Sequence, residues 1–162
     1  MRVNKYLSTC FLLLISIFIW NIVFINYLPK GYGNDALWED IPLLIKYSEN
    51  ISKVIVLALP AIMVLSLKTK LQKIGFIIYC IGLALYFLSW IVMIVCPNCN
   101  WSESLIGFMA PAYTTIIWFV GIGLIGNQSF FKIKYLPALY ISLSVFFVII
   151  HSLHAYIVFH KL

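Results

Sequence analysis

Apolar residues run almost unbroken through four stretches, 6–28, 74–95, 105–126 and 136–159, and none of the four contains Asp, Glu, Lys or Arg. Each is long enough to cross roughly 30 Å of hydrocarbon, which takes about 20 apolar residues in a helix. A fifth stretch, 54–67, is too short alone. Ile51 and Ser52 extend it to 51–67, and Lys53 can carry its ammonium to the surface on its own aliphatic stem. The pattern predicts an all-α membrane protein. We expect a five-transmembrane-helix bundle, with spans at 6–28, 51–67, 74–95, 105–126 and 136–159, in one integral membrane domain over 1–162.

Between the first two predicted spans the pattern changes. Pro29, Gly31 and Gly33 punctuate a turn, and Asp40 followed by Pro42 marks a helix start. Lys46, Glu49 and Lys53 then share one helical face, while Leu44, Tyr47, Ile51 and Val54 follow the opposite stripe. This predicts a short amphipathic outer segment before helix 2, either a lid over the bundle or an outward extension of that helix. Pro60, near the centre of the second span, predicts a kink. In the third span Gly75, Gly82, Ser89 and Cys96 recur every seven residues, which predicts a face where another helix approaches closely. Gly107, Pro111, Thr114 and Gly121 form a looser row of the same kind in the fourth.

Composition supports lipid as the solvent: 64% of the chain is hydrophobic and 10% charged, against about 45–50% and about 25% in soluble domains. Arg2 and Lys5 ahead of an apolar run resemble a signal peptide. The run is longer than a signal core and no small-x-small cleavage site follows it, so a retained anchor is expected. With the N-terminus cytoplasmic, Arg2, Lys5, Lys68, Lys70, Lys73, Lys132 and Lys134 fall inside, seven of the eleven basic residues. Asp35, Glu39, Asp40, Glu49 and Glu103, all five acids, fall outside. This obeys the positive-inside rule and reads the net charge of +6 as topology. The basic residues form no stripe, so no nucleic acid is expected as a partner. The expected location is the bacterial inner (plasma) membrane.

Polar groups inside a membrane are costly and mark candidate sites. Tyr140, Ser144, His151 and His154 fall on one stripe of the last span and are expected to face the bundle interior, with Asn21 of the first span in the same outer half. Cys96 and Cys99, in "CPNCNWSES", lie at the outer end of the third span. Three readings of the pair stay open. It can fasten a turn as a local disulfide. It can be a redox-active thiol pair, with Cys99 favoured by the start of the next helix. Or it can join His151 and His154 in a zinc or copper shell of two sulfurs and two imidazoles. The last reading requires the third and fifth helices to be neighbours. Cys10 and Cys80 are expected to be packing residues.

Other chemistry is poorly served. There is no Gly-rich phosphate loop, no Gly-x-Ser-x-Gly elbow and no His-Glu-x-x-His. With every acid assigned to an outer loop, paired-carboxylate hydrolysis and proton-coupled transport are disfavoured. A single outer cysteine pair lacks the second pair that quinone-linked disulfide-forming membrane proteins carry, and no Pro-Pro first loop matches the tryptophan-rich sensory proteins, so no family is assigned. The leading expectation is a non-enzymatic protein that binds a lipid, small molecule or membrane partner through an outer-half polar pocket. The alternative is a membrane thiol-disulfide oxidoreductase or metal-handling protein using Cys96 and Cys99 with His151 and His154. A site-free immunity or assembly subunit is a third class.

Overall fold

The computed structural model describes residues 8–29, 32, 38, 40–131 and 133–161. Arg2, Lys5, Asp35, Glu39 and Lys132, which carry part of the expected charge asymmetry, lie outside the described residues. Among the described residues there are helices and no strands. The order is α1 (Leu12–Phe24) with a 3-10 turn (Ile25–Tyr27), α2 (Leu43–Ala58) with a 3-10 turn (Leu59–Ile62), α3 (Lys70–Val95), α4 (Leu105–Tyr113), α5 (Thr115–Ile125) and α6 (Leu136–Phe159). Three rods are long and apolar enough to cross a membrane: α3, the joined α4–α5 and α6. Leu12–Tyr27 is a shorter apolar helix.

Local chemistry explains where these helices start and stop. α3 begins four residues before its apolar run, because Thr69 and Gln72 form a capping box: Thr69 Oγ1 accepts the Gln72 N–H at 3.2 Å and Gln72 Oε1 accepts the Thr69 N–H at 3.0 Å. α4 begins after Ser104, whose hydroxyl accepts the Gly107 N–H at 3.1 Å. Pro111 has no N–H for the Gly107 carbonyl, and the rod breaks at Thr114. Thr114 and Thr115 donate their hydroxyls to Ala110 and Ala112 at 2.6 Å each, so the broken turn keeps its carbonyls satisfied. At Pro60 the α2 rod passes from α-helix into its 3-10 turn, in keeping with a proline that has no N–H for the Val56 carbonyl.

The seven-residue row on α3 meets α5, its most extensively packed neighbour. A Cβ on Gly82 would lie 2.4 Å from the Trp118 backbone nitrogen, and one on Gly121 would lie 2.5 Å from that of Tyr79. Only glycine allows the two backbones this close. α1 lies beside α3, where Tyr79 donates to the Leu13 carbonyl and Tyr86 to the Asn21 side chain, each at 2.7 Å. α6 packs on α2, α4 and α5.

The two ends of the bundle differ in construction. At one end, backbone bonds stitch three segments together: Cys10 N–H to Met63 O at 3.0 Å, Leu65 N–H to Ser8 O at 3.0 Å and Val64 N–H to Gln128 O at 2.9 Å. Gln72 Nε2 adds a bond to Asn127 Oδ1 at 2.8 Å. Side chains join the other end: Lys161 Nζ donates to Asp40 O at 2.8 Å and Tyr32 donates to Phe108 O.

Candidate functional site

α2 corrects the sequence reading. Its polar face was expected in water, yet Glu49 is 1% exposed and Ser52 and Val56 are buried with it, while Leu44, Tyr47, Ile51 and Val54 are 60–78% exposed. The stripe was assigned correctly and its direction reversed: the polar side faces protein and the apolar side faces away from it, the arrangement a helix in lipid needs. The helix starts at Leu43, directly after Pro42, so the amphipathic segment and the expected span 51–67 are one rod, which ends before Met63. Glu49 is therefore not a loop acid. The objection to proton-handling chemistry that rested on acids confined to loops goes with it.

Glu49 points at α6. His151 Nδ1 lies 3.0 Å from Glu49 Oε1 and His154 Nδ1 lies 2.5 Å from Oε2. Two histidines three apart on a helix differ by about 60° in azimuth, so one carboxylate can reach both rings. The two helices run antiparallel, since Asp40, ahead of α2, meets Lys161, beyond α6, while Glu49, further along α2, meets the earlier His151 and His154. Lys53, one turn along α2, brings its ammonium to 3.5 Å from Oε1 with its side chain 35% exposed. Both imidazoles are held in orientation. Phe147 stacks on His151 with centroids 5.3 Å apart and planes 10° apart, and Trp38 covers His154 at 4.7 Å. Lys46 and Lys53 flank the Trp38 ring at 5.8 and 5.6 Å from its centroid. His154 is buried and the side chain of His151 is 34% exposed, so protein leaves one side of the cluster uncovered.

The other predicted residues separate. Tyr140 and Ser144 are fully buried on the same inward stripe of α6, and Ser144 donates back to the Tyr140 carbonyl at 2.8 Å. Asn21 is taken up by Tyr86 on α3. Cys96 ends α3 and Cys99 lies in the following turn; both are free thiols, as are buried Cys10 and exposed Cys80. The four-ligand shell of Cys96, Cys99, His151 and His154 is not assembled. Among the described residues, the ligand atoms gathered within 4.8 Å of one another belong to Glu49, His151 and His154. The reason is the packing: α6 sits on α2, α4 and α5, and α3 is not among its extensive partners.

The thiol pair forms its own small constellation. Cys99 Sγ donates to the Cys96 carbonyl at 2.9 Å and lies 3.5 Å from Ser102 Oγ. Hydrogen bonds from the Cys96 thiol, the Ser102 hydroxyl and the Ser102 and Trp101 N–H groups bring the Cys99 pKa down to about 7, while the same contact with Cys99 raises that of Cys96. A cleft of about 500 Å³ also opens on the molecule, but at the stitched end, where Val64, Asn127, Gln128, Ser129, Phe130 and Lys134 line it. His151 and His154 are some 17 to 20 residues along α6 from Lys134, roughly 25–30 Å at a helical rise of about 1.5 Å per residue.

The acid that completes the cluster was missed because its partners are 102 and 105 positions away. A signal existed: a segment with an apolar stripe, in a chain this hydrophobic, should turn that stripe to lipid. The chain matches no protein-family model, no curated protein and no solved structure, so what it does must follow from the chemistry of its own residues.

Proposed function

We propose that this is a five-span integral membrane protein, N-terminus inside and C-terminus outside, that binds a small ligand through Glu49, His151 and His154 in its outer half. Three features support the topology. The α2 rod with its 3-10 turn covers 43–62, about 30 Å at a rise of about 1.5 Å per residue. Successive rods alternate in direction, with 8–10, 62–65 and 128–130 at one end and Asp40, Glu49 and His154 at the other. Lys68, Lys70, Lys73 and Lys134 cluster toward the stitched end, and Asp40, Glu49 and Glu103 toward the opposite end.

The observation that carries the binding role is the buried Glu49 carboxylate, approached by two imidazoles and an ammonium. Burying such a charge costs several kcal/mol before its partners repay it. The α3–α5 seam shows that this bundle packs helices with glycine instead, so helix adhesion alone does not require the charge. Native mass spectrometry of the detergent-released protein tests the role. A non-covalent mass carried by the wild type and lost in Glu49→Gln is expected; equal spectra overturn it. A membrane-impermeant maleimide tests the orientation, with labelling of Cys96 and Cys99 expected on intact cells. Labelling only after lysis inverts it.

A second reading rests on Cys99, a part-exposed thiol beside the exposed Cys96 thiol, with its pKa at about 7. In this reading the pair cycles between dithiol and disulfide, passing two electrons and two protons to an outside acceptor. Unchanged function in a Cys96→Ser/Cys99→Ser protein removes it.

A further inference from the structure

We propose that Glu49, His151 and His154 form a three-ligand site for a divalent first-row transition metal ion such as zinc, with a further coordination position open toward the exposed side of His151. The proposal deepens the reading of this cluster as the binding centre and rests on it.

Ligand type sets the class of ion. Two imidazole nitrogens and one carboxylate suit zinc, iron, cobalt or nickel, whereas calcium and magnesium prefer shells built from oxygen. The same donor set, two histidines and one carboxylate, serves sites that leave a position for water or substrate. Geometry agrees. Nδ1 of each imidazole, one of its two nitrogens able to coordinate, is aimed at the carboxylate, and the three residues' ligand atoms lie within 4.8 Å of one another. Bonds of about 2.0–2.2 Å to one ion place neighbouring ligand atoms some 3–3.5 Å apart, and His151 Nδ1 already stands 3.0 Å from Glu49 Oε1. To coordinate, each ring presents its Nδ1 lone pair and carries its proton on Nε2.

Preorganisation is the second argument. Phe147 and Trp38 fix the two ring planes, so little side-chain freedom remains to be lost when an ion arrives. Lys53 supplies the third. Its ammonium lies where a cation neutralises the carboxylate, and its side chain is 35% exposed, so it can swing into solvent when a divalent ion takes that place.

Cobalt(II), whose absorption reports its ligands, is the probe. Chelator-treated full-length protein in detergent is titrated with cobalt, and zinc, magnesium and calcium are then tested as competitors. One saturable site per chain is expected, displaced by zinc and not by magnesium or calcium, with visible bands and no thiolate-to-cobalt charge transfer. Cys96→Ser/Cys99→Ser is expected to keep it. Glu49→Gln and His151→Asn are expected to weaken it by about 100-fold or more, beyond the loss seen when only an outer-shell partner is removed. His151→Asn changes a part-exposed residue and guards against a variant that fails to fold. A site that needs the cysteines and survives Glu49→Gln overturns the proposal, as does no saturable binding by folded wild type. In that last case the Glu49-dependent mass separates the two ideas. If the mass is present, the cluster binds another ligand; if it is missing too, the binding reading falls with the metal.

Discussion

The molecule carries two polar constellations, and they are built on opposite principles. Glu49, His151 and His154 are assembled by tertiary packing from two helices, largely out of solvent, with aromatic rings fixing each imidazole. Cys96 and Cys99 are assembled by one turn of chain, exposed and part-exposed in turn, and tuned by hydrogen bonds from residues three or fewer positions away. The first depends on the fold and the second hardly does. Similar residue types at similar sequence spacing, His-x-x-His and Cys-x-x-Cys, thus have different dependence on their surroundings.

The largest expected difference is in stability. Glu49→Ala leaves the buried His154 imidazole and the part-exposed His151 facing no acceptor, and a loss of about 3 kcal/mol is expected, measured by denaturation in detergent. Cys96→Ser and Cys99→Ser should each stay within about 0.5 kcal/mol, as exposed substitutions do. Equal losses at the two sites would dissolve the distinction.

Reactivity should run the other way. With its pKa at about 7, Cys99 gains thiolate as pH rises, about tenfold per unit below 7, and levels off above it. Its alkylation rate should follow that curve, while Cys96, pushed above the ordinary thiol value of 9.0, lags at every neutral pH. Cys96→Ala removes one donor and is expected to move the Cys99 midpoint upward. A midpoint that stays in place would mean that Ser102 and the backbone tune the thiol alone.

Lys53 gives the smallest effect and the finest test. Lys53→Met removes a part-exposed ammonium 3.5 Å from the carboxylate, and less than about 1 kcal/mol is expected because solvent screens the pair. A loss as large as that from Glu49→Ala would make Lys53 part of the buried unit rather than its mobile edge.

Much of the helical architecture was legible in the chain, because long apolar runs without charges can do little else. The runs 74–95, 105–126 and 136–159 lie within or close to Lys70–Val95, Leu105–Ile125 and Leu136–Phe159. The glycine row on α3 was legible for the same reason, since small residues at a fixed spacing describe a contact face. The candidate site was half legible. His151 and His154 declare a shared face by their spacing, but which helix lies opposite is a long-range fact that periodicity does not contain. α2 was misread because a stripe fixes an axis and leaves its sign to the solvent. Water would draw Lys46, Glu49 and Lys53 outward; a hydrocarbon solvent would turn the same helix over.

That inversion has a consequence in time. Glu49 is synthesised 102 residues before His151 and 105 before His154, so α2 leaves the ribosome with a polar face that nothing yet made can cover. Contacts of such separation form late and leave the earlier segment exposed meanwhile. Until α6 is made, Glu49 has neither imidazole beside it, so the cluster assembles only after synthesis has passed His154.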